Sequence, residues 1–135
     1  MSTKQEWSFI HGLIKLQRPR IAIEIGVAEG RMANAIYSAL NENTQDTDIE
    51  SWYTGFDIWD THGVSGQFSQ MGSFEHVDEK LKHIGDRYSL VKLDTQKDQD
   101  TFRKELTSRF TLGIDFAFID GCHSYEGIKN DFFNV

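Results

Sequence analysis

The chain has 135 residues, 39% hydrophobic and 26% charged, as expected for one globular domain spanning 1–135 with a core of its own. A formal charge of −7, one cysteine, and no apolar run near the ~20 residues of a membrane span argue against several partners. They disfavour nucleic acid, an anionic membrane, an internal disulfide and a multi-cysteine zinc site, and leave a small molecule as the expected partner.

The N-terminus shows no apolar stretch behind basic residues, so no secretory signal is read there and the expected location is cytoplasmic. Trp7, Ile10 and Ile14 are helically spaced, and Pro19 ends that helix. Lys15, Arg18 and Arg20, the one dense basic cluster, read as its solvated end. Ile21–Gly26 is a short buried strand that ends in glycine. Met32, Ala33, Ile36, Tyr37 and Leu40 share one face of a helix over about 30–41, and polar Asn41–Ser51 reads as a surface loop. Tyr53–Asp57 is a second strand, ending in aspartate. The glycine-bearing stretch Trp59–Ser73 reads as a lid beside that strand's end. Phe74, Val77, Leu81 and Ile84 form a helical stripe, followed by the strand Tyr88–Asp94. Phe102, Leu106 and Phe110 mark another helix and Ile114–Asp120 a fourth strand. A last helix starts at Ser124, with Tyr125, Ile128 and Phe132 in helical spacing. Strands alternating with helices predict a Rossmann-like α/β fold, a parallel sheet covered on both faces.

Ligands of open parallel sheets bind at the carboxyl ends of the strands, and four strands bring Gly26, Asp57, Asp94 and Asp120 to that edge. In the loop Glu24–Arg31, Gly26 and Gly30 remove side chains where backbone passes close to a ligand, and the next helix offers N–H groups to an anion. A dinucleotide loop would want a small residue in place of Arg31 and an acidic residue about 20 positions on, nearer than Asp57. The methionine carboxylate of S-adenosylmethionine (SAM) needs less room than a pyrophosphate, so these departures favour SAM over NAD. Glu24 on a central strand needs a partner, either the cationic amine of such a ligand or a structural cation such as Arg20 or Lys92. Asp57 suits both ribose hydroxyls, and Asp94 the adenine amino group with the Thr95 backbone nearby.

The run Phe118–Asp131 resembles the F-I-D-G-x-H-x-Y-x-x-x-x-x-D signature of class I methyltransferases similar to macrocin O-methyltransferase, a branch that includes cephalosporin hydroxylase-like proteins. Glu24–Gly30 (E-I-G-V-x-x-G) and Gly55–Asp60 (G-F-D-I-W-D) are similar to the same branch in the same order, so the resemblance covers roughly 20–135. It implies that Glu24, Gly26 and Gly30 hold the methionine end of SAM, Asp57 the ribose and Asp94 the adenine side. It implies Asp120 at the active-site edge, where this branch often binds a divalent metal, commonly Mg²⁺. His123 is then the candidate general base for a substrate hydroxyl, since imidazole titrates near neutrality; its other reading is a helix-start residue bonded to the Asp120 loop. The expected reaction is SAM-dependent methylation of a small-molecule hydroxyl, on a sugar or phenol. The alternative is a SAM- or nucleoside-binding module that does not catalyse and acts through assembly.

The branch continues past this chain's last residue into a fifth strand, often followed by an Asp-Asp pair that completes the metal site, and into two more strands. Asp120 alone is a poor Mg²⁺ site, because the ion wants several oxygen ligands. Without those strands 114–120 is an exposed apolar edge. The chain is thus expected to be a piece of a longer protein, a reduced form, or a homo-oligomer through that edge with Phe132 and Phe133 contributing.

Overall fold

The computed structural model describes residues 3–59, 73–121 and 124–135, the side chain of Tyr125 excepted. Helix α1 (Lys4–Gln17) opens on a capping box in which Thr3 and Glu6 satisfy each other's backbone N–H. It ends at Arg18 in a left-handed conformation (φ 51°), one residue before Pro19. Then follow β1 (Ile21–Ile25), α2 (Arg31–Thr47), β2 (Trp52–Asp57), α3 (Phe74–Lys82), β3 (Tyr88–Lys92), α4 (Gln99–Arg109), β4 (Phe116–Ile119) and α5 (Tyr125–Asn134). Ser73 and Ser124 cap α3 and α5 through their hydroxyls.

The sheet order is β3-β2-β1-β4 and every pairing is parallel. From β1 the chain steps outward to β2 and β3, then returns to the other side of β1 as β4. The strand order therefore reverses at β1, and a crevice opens between the carboxyl ends of β1 and its neighbours. Alternate strand residues feed two cores. Ala22 and Tyr53 face Ile14, Ile36, Tyr37, Leu40, Val77 and Leu81 from the first three helices. Ile23, Ile25 and Phe56 face Phe102 and Leu106 of α4.

Three expectations change. First, 41–47 is helix, not loop. The polar side chains there are used: Asn43 donates to the Ile14 carbonyl of α1 at 2.9 Å, and the Thr44 hydroxyl accepts from the Ser51 N–H at 3.1 Å. Second, β4 begins at Phe116, because Asp115 turns aside to accept from the N–H groups of Arg20 and Ile21 at 3.0 and 3.1 Å. Third, α5 buries Gly127 and Asp131, while Ile128 and Phe132 face outward. The inner position is held by hydrogen bonds rather than apolar packing. Among the described residues β4 pairs with β1 alone, and no helix is long and apolar enough to cross a membrane.

Candidate functional site

The loop leaving β1 is tightly built. Gly26 sits at φ 90° and donates its N–H to the Phe56 carbonyl at 2.8 Å. A Cβ there would run into the Asp120 carbonyl and the Gly121 Cα. The need for glycine thus comes from the neighbouring strand end rather than from open space for a ligand. Gly30, at φ 81°, is the N-cap of α2 and has no side chain to bond the first-turn N–H groups.

Glu24 is 1% exposed, on the strand at the switch point. Its hydrogen-bond partner is neither Arg20 nor Lys92 but Tyr53, whose hydroxyl donates to Oε2 at 2.5 Å. Burial pushes the Glu24 carboxyl up from 4.5 to about 8, and the charges of Asp57 and Asp120 push the same way, against the Tyr53 hydrogen bond. Burial thus favours the neutral form of Glu24. An arriving cation would reverse that.

Asp57, half-buried at the end of β2, is already engaged by the backbone around it. Oδ2 accepts from the Ala28 N–H at 2.7 Å and Oδ1 from the Trp59 N–H at 2.9 Å. The Trp59 indole closes the ring by donating to the Ala28 carbonyl at 3.3 Å, and its ring meets that of Phe74 edge to face at 5.2 Å. Ala28 (φ 50°) and Trp59 (φ 46°) are both in the left-handed region, a strain that one carboxylate holds in place. Each carboxylate oxygen has a further lone pair, so acceptance from ribose hydroxyls stays open.

After β3, Asp94 Oδ1 accepts from the N–H groups of Gln96 and Lys97 at 2.9 and 3.1 Å, a local turn. The Thr95 hydroxyl donates to Asp131 Oδ1 at 2.8 Å, where Gln96 Nε2 donates as well. Asp131 is 0% exposed, and burial raises its carboxyl above the ordinary range. It pins the Asp94 loop to α5. Asp131 is the last residue of the signature, which assigns it no role.

Asp120 follows β4, half-buried, with its N–H donating to the Ile25 carbonyl at 2.8 Å. Glu24, Gly26, Asp57 and Asp120 thus gather at one edge, as their strands require, with Asp94 one strand further out. His123 and the lid read over Trp59–Ser73, save its two end residues, lie outside the described residues. The Mg²⁺ expectation finds no support here. Among the described residues no three His, Cys, Asp or Glu side chains gather as an ion would need, and Asp120 alone does not fit it.

Residues 23–135 match the family profile described as "Methyltransferase domain". A search of curated proteins found no match. Among solved structures the chain is similar to an S-adenosylhomocysteine (SAH)-bound methyltransferase of Podospora anserina, at 22% identity and TM-score 0.62, covering 99% of this chain and 48% of that one. It is similar to an O-methyltransferase from Bacillus cereus in complex with SAH, at 15% identity and TM-score 0.58, covering 90% and 46%. It is also similar to the O-methyltransferase TomG of Streptomyces achromogenes in complex with SAM, involved in tomaymycin synthesis, at 16% identity and TM-score 0.57, covering 90% and 45%. At these identities the likeness is one of fold, and the chain spans about half the length of these structures.

Proposed function

The chain belongs to the methyltransferase-domain family, and from that premise we propose that it binds SAM at the carboxyl edge of β1 and β2 and serves methyl transfer to a small-molecule hydroxyl. One observation carries the reading. Glu24 is a carboxyl 1% exposed at the switch point, beside a glycine loop, and its hydrogen-bond partner is a neutral hydroxyl rather than a cation. A ligand amine supplies the cation.

In this reading Glu24 takes the amine of the methionine end, and the backbone of the Gly26–Gly30 loop lies along it. Asp57 takes the ribose hydroxyls while holding Ala28 and Trp59, and Asp94 with Thr95 borders the adenine side. When bound, SAM supplies a sulfonium methyl whose S–C bond breaks as the acceptor oxygen bonds to the methyl carbon. His123 takes the hydroxyl proton, and Asp120 lies at the edge where that proton is handled; the signature resemblance supports both roles. The preference for oxygen rests on that resemblance and on O-methyltransferases among the structural neighbours. The apolar edge of β4 and the exposed Phe132 and Phe133 support self-association there.

Calorimetry with SAH tests the binding, and mass spectrometry of sugars and phenols incubated with SAM and the protein tests the transfer. The expected result is SAH binding together with a gain of one methyl on a hydroxyl. A further arm uses His123→Gln, which should bind SAH as wild type and lose about 10²–10⁴-fold in turnover. No SAH binding by the wild type removes the proposal.

A further inference from the structure

Glu24 and Gly55 are register partners on β1 and β2, and Tyr53 lies two residues before Gly55 on the same sheet face. The Tyr53 ring therefore runs along the sheet surface, across Gly55, toward the carboxyl end of β1. A Cβ on Gly55 would stand 2.7 Å from the Tyr53 hydroxyl and 2.7 Å from a Val27 methyl. Only glycine leaves that path open. Resting on the SAM reading above, we propose that Tyr53 is a positioning residue for the ligand's cationic amine, its hydroxyl fixing the Glu24 carboxylate that receives the amine, with Gly55 making room for it.

The surroundings fit a fixed donor. Tyr53 is fully buried and packs against Tyr37 of α2 at 6.1 Å between centroids. Tyr37 accepts from the Arg87 N–H at 2.7 Å and packs on Tyr88, whose hydroxyl donates to Asp78 at 2.6 Å. Three tyrosines on one face thus tie α2, α3, β2 and β3 into a rigid backing for a single hydroxyl. Burial and the neighbouring Glu24 push the Tyr53 hydroxyl well above its ordinary range, so it keeps its proton and serves as donor.

The choice of tyrosine has a chemical reason. A lysine or arginine at this place would neutralise Glu24 permanently and compete with the incoming amine. A neutral hydroxyl orients the carboxylate, favours its ionised form, and leaves its charge for the ligand. The other groups bearing on Glu24 are Asp57 from β2 and Asp120 from the end of β4, both acidic. They favour a cation in the crevice and oppose ionisation of Glu24 until one arrives.

The sign of the pH dependence follows. Below about 8, amine binding requires Glu24 to release its proton, so affinity rises with pH toward that value while the ligand amine keeps its own proton. Removing the Tyr53 hydroxyl raises the Glu24 value further and moves the rise to higher pH.

The test is calorimetry on wild type, Tyr53→Phe, Glu24→Gln and the double variant, across a pH range bracketing about 8. Two probes are used: SAH, and methylthioadenosine, which lacks the amino-acid end. Urea melts confirm that each variant is folded. Tyr53→Phe should weaken SAH about tenfold or more at neutral pH, move the rise of the pH profile to higher pH, and leave methylthioadenosine unchanged. With Glu24→Gln already present, Tyr53→Phe should change SAH affinity little. Equal losses for both probes, an unmoved pH profile, or an undiminished loss in the Glu24→Gln background would overturn the positioning role while leaving the SAM site standing. Wild type that binds neither probe overturns the SAM site and this role with it.

Discussion

Replacing Glu24 by glutamine removes one buried titration. The ordinary carboxyl value is 4.5 and the folded value about 8. Between them the unfolded chain releases a proton that the fold retains, so unfolding gains a proton-release term as pH rises. Stability from this group is fully present below 4.5 and lost as pH climbs through about 8. The slope is about 1.4 kcal/mol per pH unit, and the whole interval amounts to roughly 5 kcal/mol, comparable with the stability of a small domain. The substituted amide would keep an oxygen to accept from the Tyr53 hydroxyl but would bury an NH₂ group without an assigned acceptor, a pH-independent cost of about 1–3 kcal/mol. Glu24→Gln should thus equal or trail wild type near pH 5 and surpass it near pH 8, so that the two curves cross. Urea unfolding followed by circular dichroism at half-unit pH steps measures both curves. Histidines and other acids titrate in both proteins, so the difference curve isolates position 24. A difference independent of pH would refute the placement of a neutral, buried Glu24.

Three further outcomes are expected. Asp57→Ala should weaken SAH about ten- to a hundredfold and lower stability by about 1–3 kcal/mol, since the Ala28 and Trp59 N–H groups lose their acceptor; calorimetry and urea melts read the two effects. A variant with unchanged SAH affinity removes Asp57 from the site. Gly26→Val places a branched side chain against the Asp120 and Gly121 backbone at positive φ, so it should cost stability as well as binding, by ~3 kcal/mol or more; a wild-type melting curve contradicts this. Sedimentation velocity at low micromolar concentration should show a dimer, given β4's free side among the described residues and the 68% and 73% exposure of Phe132 and Phe133; a stable monomer counts against association there.

The α/β class was legible because its signal is periodic. Runs such as Ile21–Ile25 and stripes such as Phe102, Leu106 and Phe110 state element type locally, and their alternation implies a parallel sheet. The strand-end residues Gly26, Asp57, Asp94 and Asp120 were legible for the same reason, since a strand's direction fixes which end each one occupies. Where periodicity fell silent, the reading failed. Polar 41–47 looked like loop because Asn43 and Thr44 are satisfied by Ile14 and Ser51, partners outside the local helical pattern. The apolar stripe of α5 pointed the wrong way because Asp131 binds Thr95 and Gln96 across 36 and 35 positions. Tyr53 and Glu24 stand 29 residues apart, and nothing local in either predicts a 2.5 Å contact. Their meeting depends on strand register and on Gly55 being small. Hydrophobic patterning selects elements one at a time, within a few turns of chain. Hydrogen-bond partners and shifted carboxyls are properties of the assembled interior, where burial and proximity set the energy, and only the tertiary structure brings those groups together.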